Sequence, residues 1–111
     1  MPDRPPHRAV IVVLVTCPNR KIGKKVGQVL VKEWLAACVN VVPGLTSIYR
    51  WEGKIRQEAE VLLIIKTHRS RLQALIRRVT ALHPYSTPEI IALPLVGGST
   101  PYVTWVQDSS S

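Results

Sequence analysis

The sequence predicts an α+β fold: a four-stranded sheet, two helices on one of its faces, an overlong β-hairpin and a short terminal helix. Three observations predict it. Apolar β-branched runs alternate with segments of helical periodicity in the order β-α-β-β-α-β. The stretch from Val39 to Thr67 reads as two long strands broken only at Glu52-Gly53, a pair suited to a two-residue hairpin turn. Finally, 111 residues with 46% hydrophobic content suffice for one core.

Ala9 to Thr16 is a continuous apolar run, the pattern of a strand covered on both faces. Cys17-Pro18-Asn19 ends it, and Asn19 can cap the next helix. Arg20 to Ala37 is expected to be helical, with Val26, Leu30, Val31, Trp34 and Leu35 on one broad face. Gly23 and Gly27 share that side and allow close approach to a sheet. Leu72, Leu75, Ile76, Val79 and Leu82 give the strongest helical spacing in the chain, with Thr67 or Ser70 as its cap, and Pro84 ends it. Glu89 to Leu95 reads as a strand near an edge, because Pro94 cannot donate to a ladder. Ser99-Thr100-Pro101 opens a short helix that docks through Tyr102, Trp105 and Val106. The pattern is the ferredoxin-like split βαβ, with both helices packed on one face. Residues 1–8 are expected to be a disordered lead-in, 9–107 the domain and 108–111 a frayed tail.

The hairpin is long for its chain. From Val39 to Trp51 it reaches roughly 43 Å at ~3.3 Å per residue. A compact domain of this length is roughly 34 Å across. Part of it must project, with Pro43-Gly44 marking a bulge on the first arm. Tyr49, Trp51 and Ile55 near the tip invite strand pairing, and a further copy of the chain is the economical cover. The open sheet face asks for the same, so a homo-oligomer is expected.

Composition narrows the function classes. The formal charge is +8, but the basic residues are spread along the sequence. There is no arginine-rich run and no phenylalanine stacking platform, so nucleic acid is disfavoured as a partner. No apolar run nears the ~20 residues of a spanning helix, and no export signal precedes the first strand. No membrane partner and a cytoplasmic location are therefore expected. Cys17 and Cys38 read as free thiols.

No phosphate loop, paired-cysteine metal motif or Ser/His/Asp signature is present, and no enzyme activity is expected. The densest polar cluster runs from His83 to Glu89, a loop stiffened by Pro84 and Pro88. Imidazole, carboxylate and the Cys38 thiol, if it approaches the same end, suit copper or zinc.

Further stretches carry a family resemblance: Leu35-Ala36-Ala37-Cys38-Val39-Asn40, Pro43-Gly44, Ser47-Ile48-Tyr49, Trp51-Glu52-Gly53-Lys54, Glu60, Lys66-Thr67, His83-Pro84-Tyr85, Pro88-Glu89-Ile90, Tyr102 and Trp105. In this order, from Val10 to Val106, they make the chain resemble the CutA divalent-cation tolerance proteins. The resemblance implies a ferredoxin-like subunit in a tight homotrimer, paired through the long hairpin. It also implies a cytoplasmic protein associated with copper or other divalent cations, none of them required for folding, and without catalytic activity. The implied metal residues are Cys38, His83 and Glu89, with Asn40, Tyr49, Trp51, Glu60, Tyr85 and Trp105 as further site or interface members. The first helix departs from that picture by opening Arg20-Lys21-Ile22-Gly23-Lys24-Lys25, with no acidic residue. A trimeric signalling or scaffold module that binds a small anion or a partner protein is the alternative this basic stripe favours.

Overall fold

A computed structural model describes residues 5–111. Its elements follow the predicted order: β1 (Val10–Cys17), α1 (Arg20–Lys32), β2 (Cys38–Trp51), β3 (Lys54–His68), α2 (Leu72–Leu82), β4 (Ile90–Pro94) and α3 (Thr100–Asp108). The sheet order is β2-β3-β1-β4, all antiparallel, as the ferredoxin-like pattern requires. Ile11, Val13, Val15 and Cys17 of β1 face Leu63 and Ile65 of β3, Val26 and Leu30 of α1, and Leu75 and Val79 of α2, forming the main core. Alternate residues of the same strands, Val12, Leu14, Leu62 and Ile64, lie on the opposite face. There, Ile91 and Leu93 of β4 are half exposed.

Helix α1 fits closely because two of its positions lack side chains. A Cβ at Gly23 would sit 3.0 Å from Val61 and 3.3 Å from Leu63, and one at Gly27 would sit 3.1 Å from Val39. The Asn19 side chain accepts from the Ile22 amide, as expected of a cap. The helix ends at Lys32, five residues before the expected Ala37. Trp34 takes the left-handed conformation at φ 62°, and the amides of Leu35 and Ala36 turn back to the Leu30 carbonyl. The chain then enters β2, with the Ala37 amide donating to the Lys66 carbonyl. Neither proposed cap serves α2: Thr67 is buried and donates to the Leu35 carbonyl at 2.6 Å. The Ser70 amide instead donates to the His68 side chain.

The hairpin projects, giving the molecule extents of 53 × 26 × 23 Å. No residue from Val42 to Ala59 is buried. Its two-residue turn has positive φ at both Glu52 (51°) and Gly53 (76°), the requirement of a type I′ turn. The register shifts between Val42 and Leu45, where Gly44 has φ 79°, so the expected bulge is present.

The tail expected to fray after residue 107 is anchored. The Ser110 hydroxyl accepts from the His68 amide at 2.8 Å and donates to the Val106 carbonyl, and Arg71 donates to the Ser110 carbonyl. Val103 and Val106 of α3 pack on Val10 in a second small cluster. Of the expected disordered lead-in, Met1 to Arg4 lie outside the described residues, and Pro6–Ala9 form a 3-10 turn against α3.

Candidate functional site

The hairpin, the end of β1 and the loop from His83 to Glu89 enclose a cleft of about 630 Å³. The two-residue turn dictates who lines it. Opposed pairs are Tyr49 with Arg56 and Ser47 with Glu58, so Ser47, Tyr49, Trp51, Arg56, Glu58 and Glu60 share one face of the ribbon. The loop adds Tyr85, Ser86, Thr87 and Glu89.

A hydrogen-bonded chain closes the floor. His83 caps the end of α2 and is buried. Its Nδ1 accepts from the Tyr85 amide at 3.1 Å, so Nε2 carries the proton and donates to the Thr16 carbonyl at 2.7 Å. Thr16 lies one residue beyond the β1–β4 ladder, which ends at Val15 and Ile90. His83 thus supplies a donor that β4 no longer reaches. The rings of His83 and Tyr85 lie 4.7 Å apart. The Tyr85 hydroxyl donates to Glu60 Oε2 at 3.1 Å, and Glu60 is 8% exposed.

The electrostatics of this floor keep protons in place. Burial, and then the hydrogen bond to Glu60, push the Tyr85 phenol up to about 12. Burial, and then the charge of Glu60, push the Cys17 thiol up to about 11. The Tyr49 phenol is raised first by the neighbouring Glu58 carboxylate and then by partial burial. At neutral pH the Tyr85 phenol is a donor set against the Glu60 carboxylate, and the Cys17 thiol stays protonated on the core side of β1.

Of the expected site residues, His83 is buried against Tyr85, and Tyr49, Trp51, Glu60, Tyr85 and Glu89 line this cleft. Cys38, Asn40 and Trp105 do not. Cys38 pairs with Lys66, which pairs with Val12, four residues from Thr16 along β1 or ~13 Å of strand. The expectation that Cys38 approaches the His83 end within one chain is corrected by this register. Cys38 instead neighbours Tyr102, whose phenol is raised by burial and by the thiol. The Asn40 side-chain oxygen accepts from the Lys66 ammonium, and Trp105 packs on Tyr102 with ring centroids 5.7 Å apart. Among the described residues, no group of three or more His, Cys, Asp or Glu side chains converges as a metal cage. Sequence reasoning missed Thr16, Arg56 and Glu58. Counting outward from Glu52-Gly53 would have placed Glu58 and Arg56 on the Tyr49 face.

Comparison with known proteins agrees with this architecture. The family model described as "CutA1 divalent ion tolerance protein" matches residues 11–109. The chain is 54% identical over 100 residues to "Protein CutA, chloroplastic" of Arabidopsis thaliana, covering 90% of this chain and 55% of that protein. It thus spans about half the length of that relative. It is 48% identical over 99 residues to the "Divalent-cation tolerance protein CutA" of Thermus thermophilus, covering 89% of this chain and 96% of that protein. The solved structure of the divalent cation tolerance protein from Thermus thermophilus superposes with a TM-score of 0.90 at 46% identity, covering 92% of this chain and 99% of that one. CutA1 from Oryza sativa gives 0.89 at 51% identity, over 92% and 94% of the two chains. The chain belongs to the CutA1 divalent ion tolerance protein family.

Proposed function

We propose that this protein acts in divalent-cation tolerance in the cytoplasm as a homotrimer without catalytic activity, and that it binds copper or another divalent cation weakly. The observation that carries the reading is the cleft beside the projecting hairpin, whose lining includes the separate carboxylates Glu58, Glu60 and Glu89. Carboxylates and imidazole are donors that borderline divalent cations accept. The proposed donors are Glu89 on the exposed lip and His83 behind it, with the Cys38 thiol as a separate donor on the open sheet face. Weak binding is supported by the cost to His83, which must give up a hydrogen bond before it can ligate. The assembly is supported by the exposed apolar groups of the hairpin, with Ile48 at 68% and Ile55 at 71%, and by the half-exposed Ile91 and Leu93 on the open face. Copies of the same chain are the occupants proposed for both surfaces.

Calorimetric titration of the parent and of Glu89→Gln with copper and zinc tests the metal reading. Weak binding by the parent that fades in Glu89→Gln supports it. Equal heats from the two proteins would remove Glu89 from the site. The alternative of a scaffold that binds an anion or partner is favoured by the exposed Arg20, Lys21, Lys24 and Lys25, which border a depression of about 550 Å³ on α1.

A further inference from the structure

The fold sorts charge that the sequence spreads out. Of fifteen lysines and arginines, nine fall in residues 20–33 and 69–82, the helical layer and the turn into α2. One carboxylate, Glu33, accompanies them, and it is bound to Arg78 at 2.9 Å. The rest of the chain carries six residues of each sign. Seven of the nine lie on α1 and α2, while Arg69 and Arg71 turn to the Arg8 and Ser110 carbonyls; with Glu33, the helical layer carries +6 of the formal +8. On α1, Arg20, Lys21, Lys24, Lys25 and Lys32 are all exposed, a track ~18 Å long at 1.5 Å per residue.

An aromatic ring stands at the end of this track. Trp34 is 58% exposed and holds φ 62°, a region that bulky side chains avoid and that glycine ordinarily fills after a helix. The side chain is largely exposed, and Trp34 follows Lys32 by two residues in the chain.

We propose that the helical layer is a docking surface for single-stranded nucleic acid, with the α1 cations tracking phosphates and Trp34 stacking on a base. A cationic track with an aromatic platform is how single strands are held without sequence preference. A bilayer fits less well. Amphipathic helices bind membranes through an apolar face, and that face of α1, with Val26 and Leu30, is already buried on the sheet. A protein partner fits less well too, because the centres of such interfaces are depleted of charge. The trimer reading, on which this step rests, adds that the open sheet faces are covered by other copies. Three basic layers then point outward, and a flexible strand can follow them where a flat surface meets one.

The test is fluorescence anisotropy with a labelled oligouridylate of about 16 nucleotides at about 50 and about 200 mM salt, with the mass of each protein measured by light scattering. The parent should bind with strong salt dependence. The combined variant Lys21→Gln, Lys24→Gln, Lys25→Gln should bind at least about tenfold more weakly at low salt, with a log–log slope shallower by about 2 for each chain engaged. Trp34→Gly should weaken binding about fivefold or more and leave the slope unchanged. A monomeric parent that still shows both losses would refute the trimer and leave the docking layer standing. Unaltered binding by the triple variant would overturn the proposal. So would binding of a duplex or of phosphatidylserine vesicles in preference to the oligouridylate.

Discussion

His83 provides the sharpest test of how the cleft is held together. In His83→Ala the Tyr85 amide loses its acceptor, worth ~1 kcal/mol. The Thr16 carbonyl is also left unpaired in a buried setting, at a cost of ~1–3 kcal/mol. Together these predict a loss of about 2–4 kcal/mol, before any term for the void left by a side chain only 7% exposed. His83→Gln keeps a donor and an acceptor on a flexible stem and should recover part of the loss. Urea unfolding followed by circular dichroism, at one fixed subunit concentration because assembly couples to unfolding, measures the difference. A loss below about 0.5 kcal/mol in His83→Ala, within the range of ordinary surface substitutions, would refute this account of the floor.

The packing and the charges set three further outcomes. Gly23→Ala gains helix propensity of ~1 kcal/mol but drives a methyl against Val61 and Leu63, both held in the sheet, so urea unfolding should show net destabilisation, and a more stable variant would refute the fit. Trp34→Gly releases a left-handed residue that is mostly exposed, and should raise stability by about 1 kcal/mol in the same assay. Cys17 is fully buried, with its thiol raised from 9.0 to about 11; the folded state therefore holds this proton more tightly than the unfolded chain. Its contribution to stability is present below pH 9 and is lost as pH rises towards 11. Peptide mapping after alkylation at pH 8 should find Cys17 unmodified in the folded protein and modified once it is denatured.

Local signals carry most of the fold. The spacing of Leu72 to Leu82, the Asn19 cap, the Glu52-Gly53 turn and the Pro43-Gly44 bulge each act through near neighbours, so a single pass along the chain finds them. The end of α1 is hidden because Leu35 and Ala36 are apolar and buried, which continues the helical pattern, while the backbone has already reversed at Trp34. The order of the tail is hidden too, because Ser110 is held by His68, 42 residues away, a contact no local pattern announces. The cleft is half legible. His83, Tyr85 and Glu89 are close in sequence and stay close in space. Cys38 joins them only on proximity to a strand end, and the β2–β3 register alone reveals that it belongs to the other end. Charge behaves likewise, spread along the sequence and concentrated by the fold on α1 and α2.

The central claim is that the projecting hairpin and the open sheet face are covered by copies of the same chain. Sedimentation equilibrium at micromolar concentration tests it directly. The expected mass is three times the 12.4 kDa of one chain, retained on dilution and lost when Ile48→Lys and Ile55→Lys place charge on the hairpin's exposed apolar face. A single species of 12.4 kDa in the parent protein would contradict it.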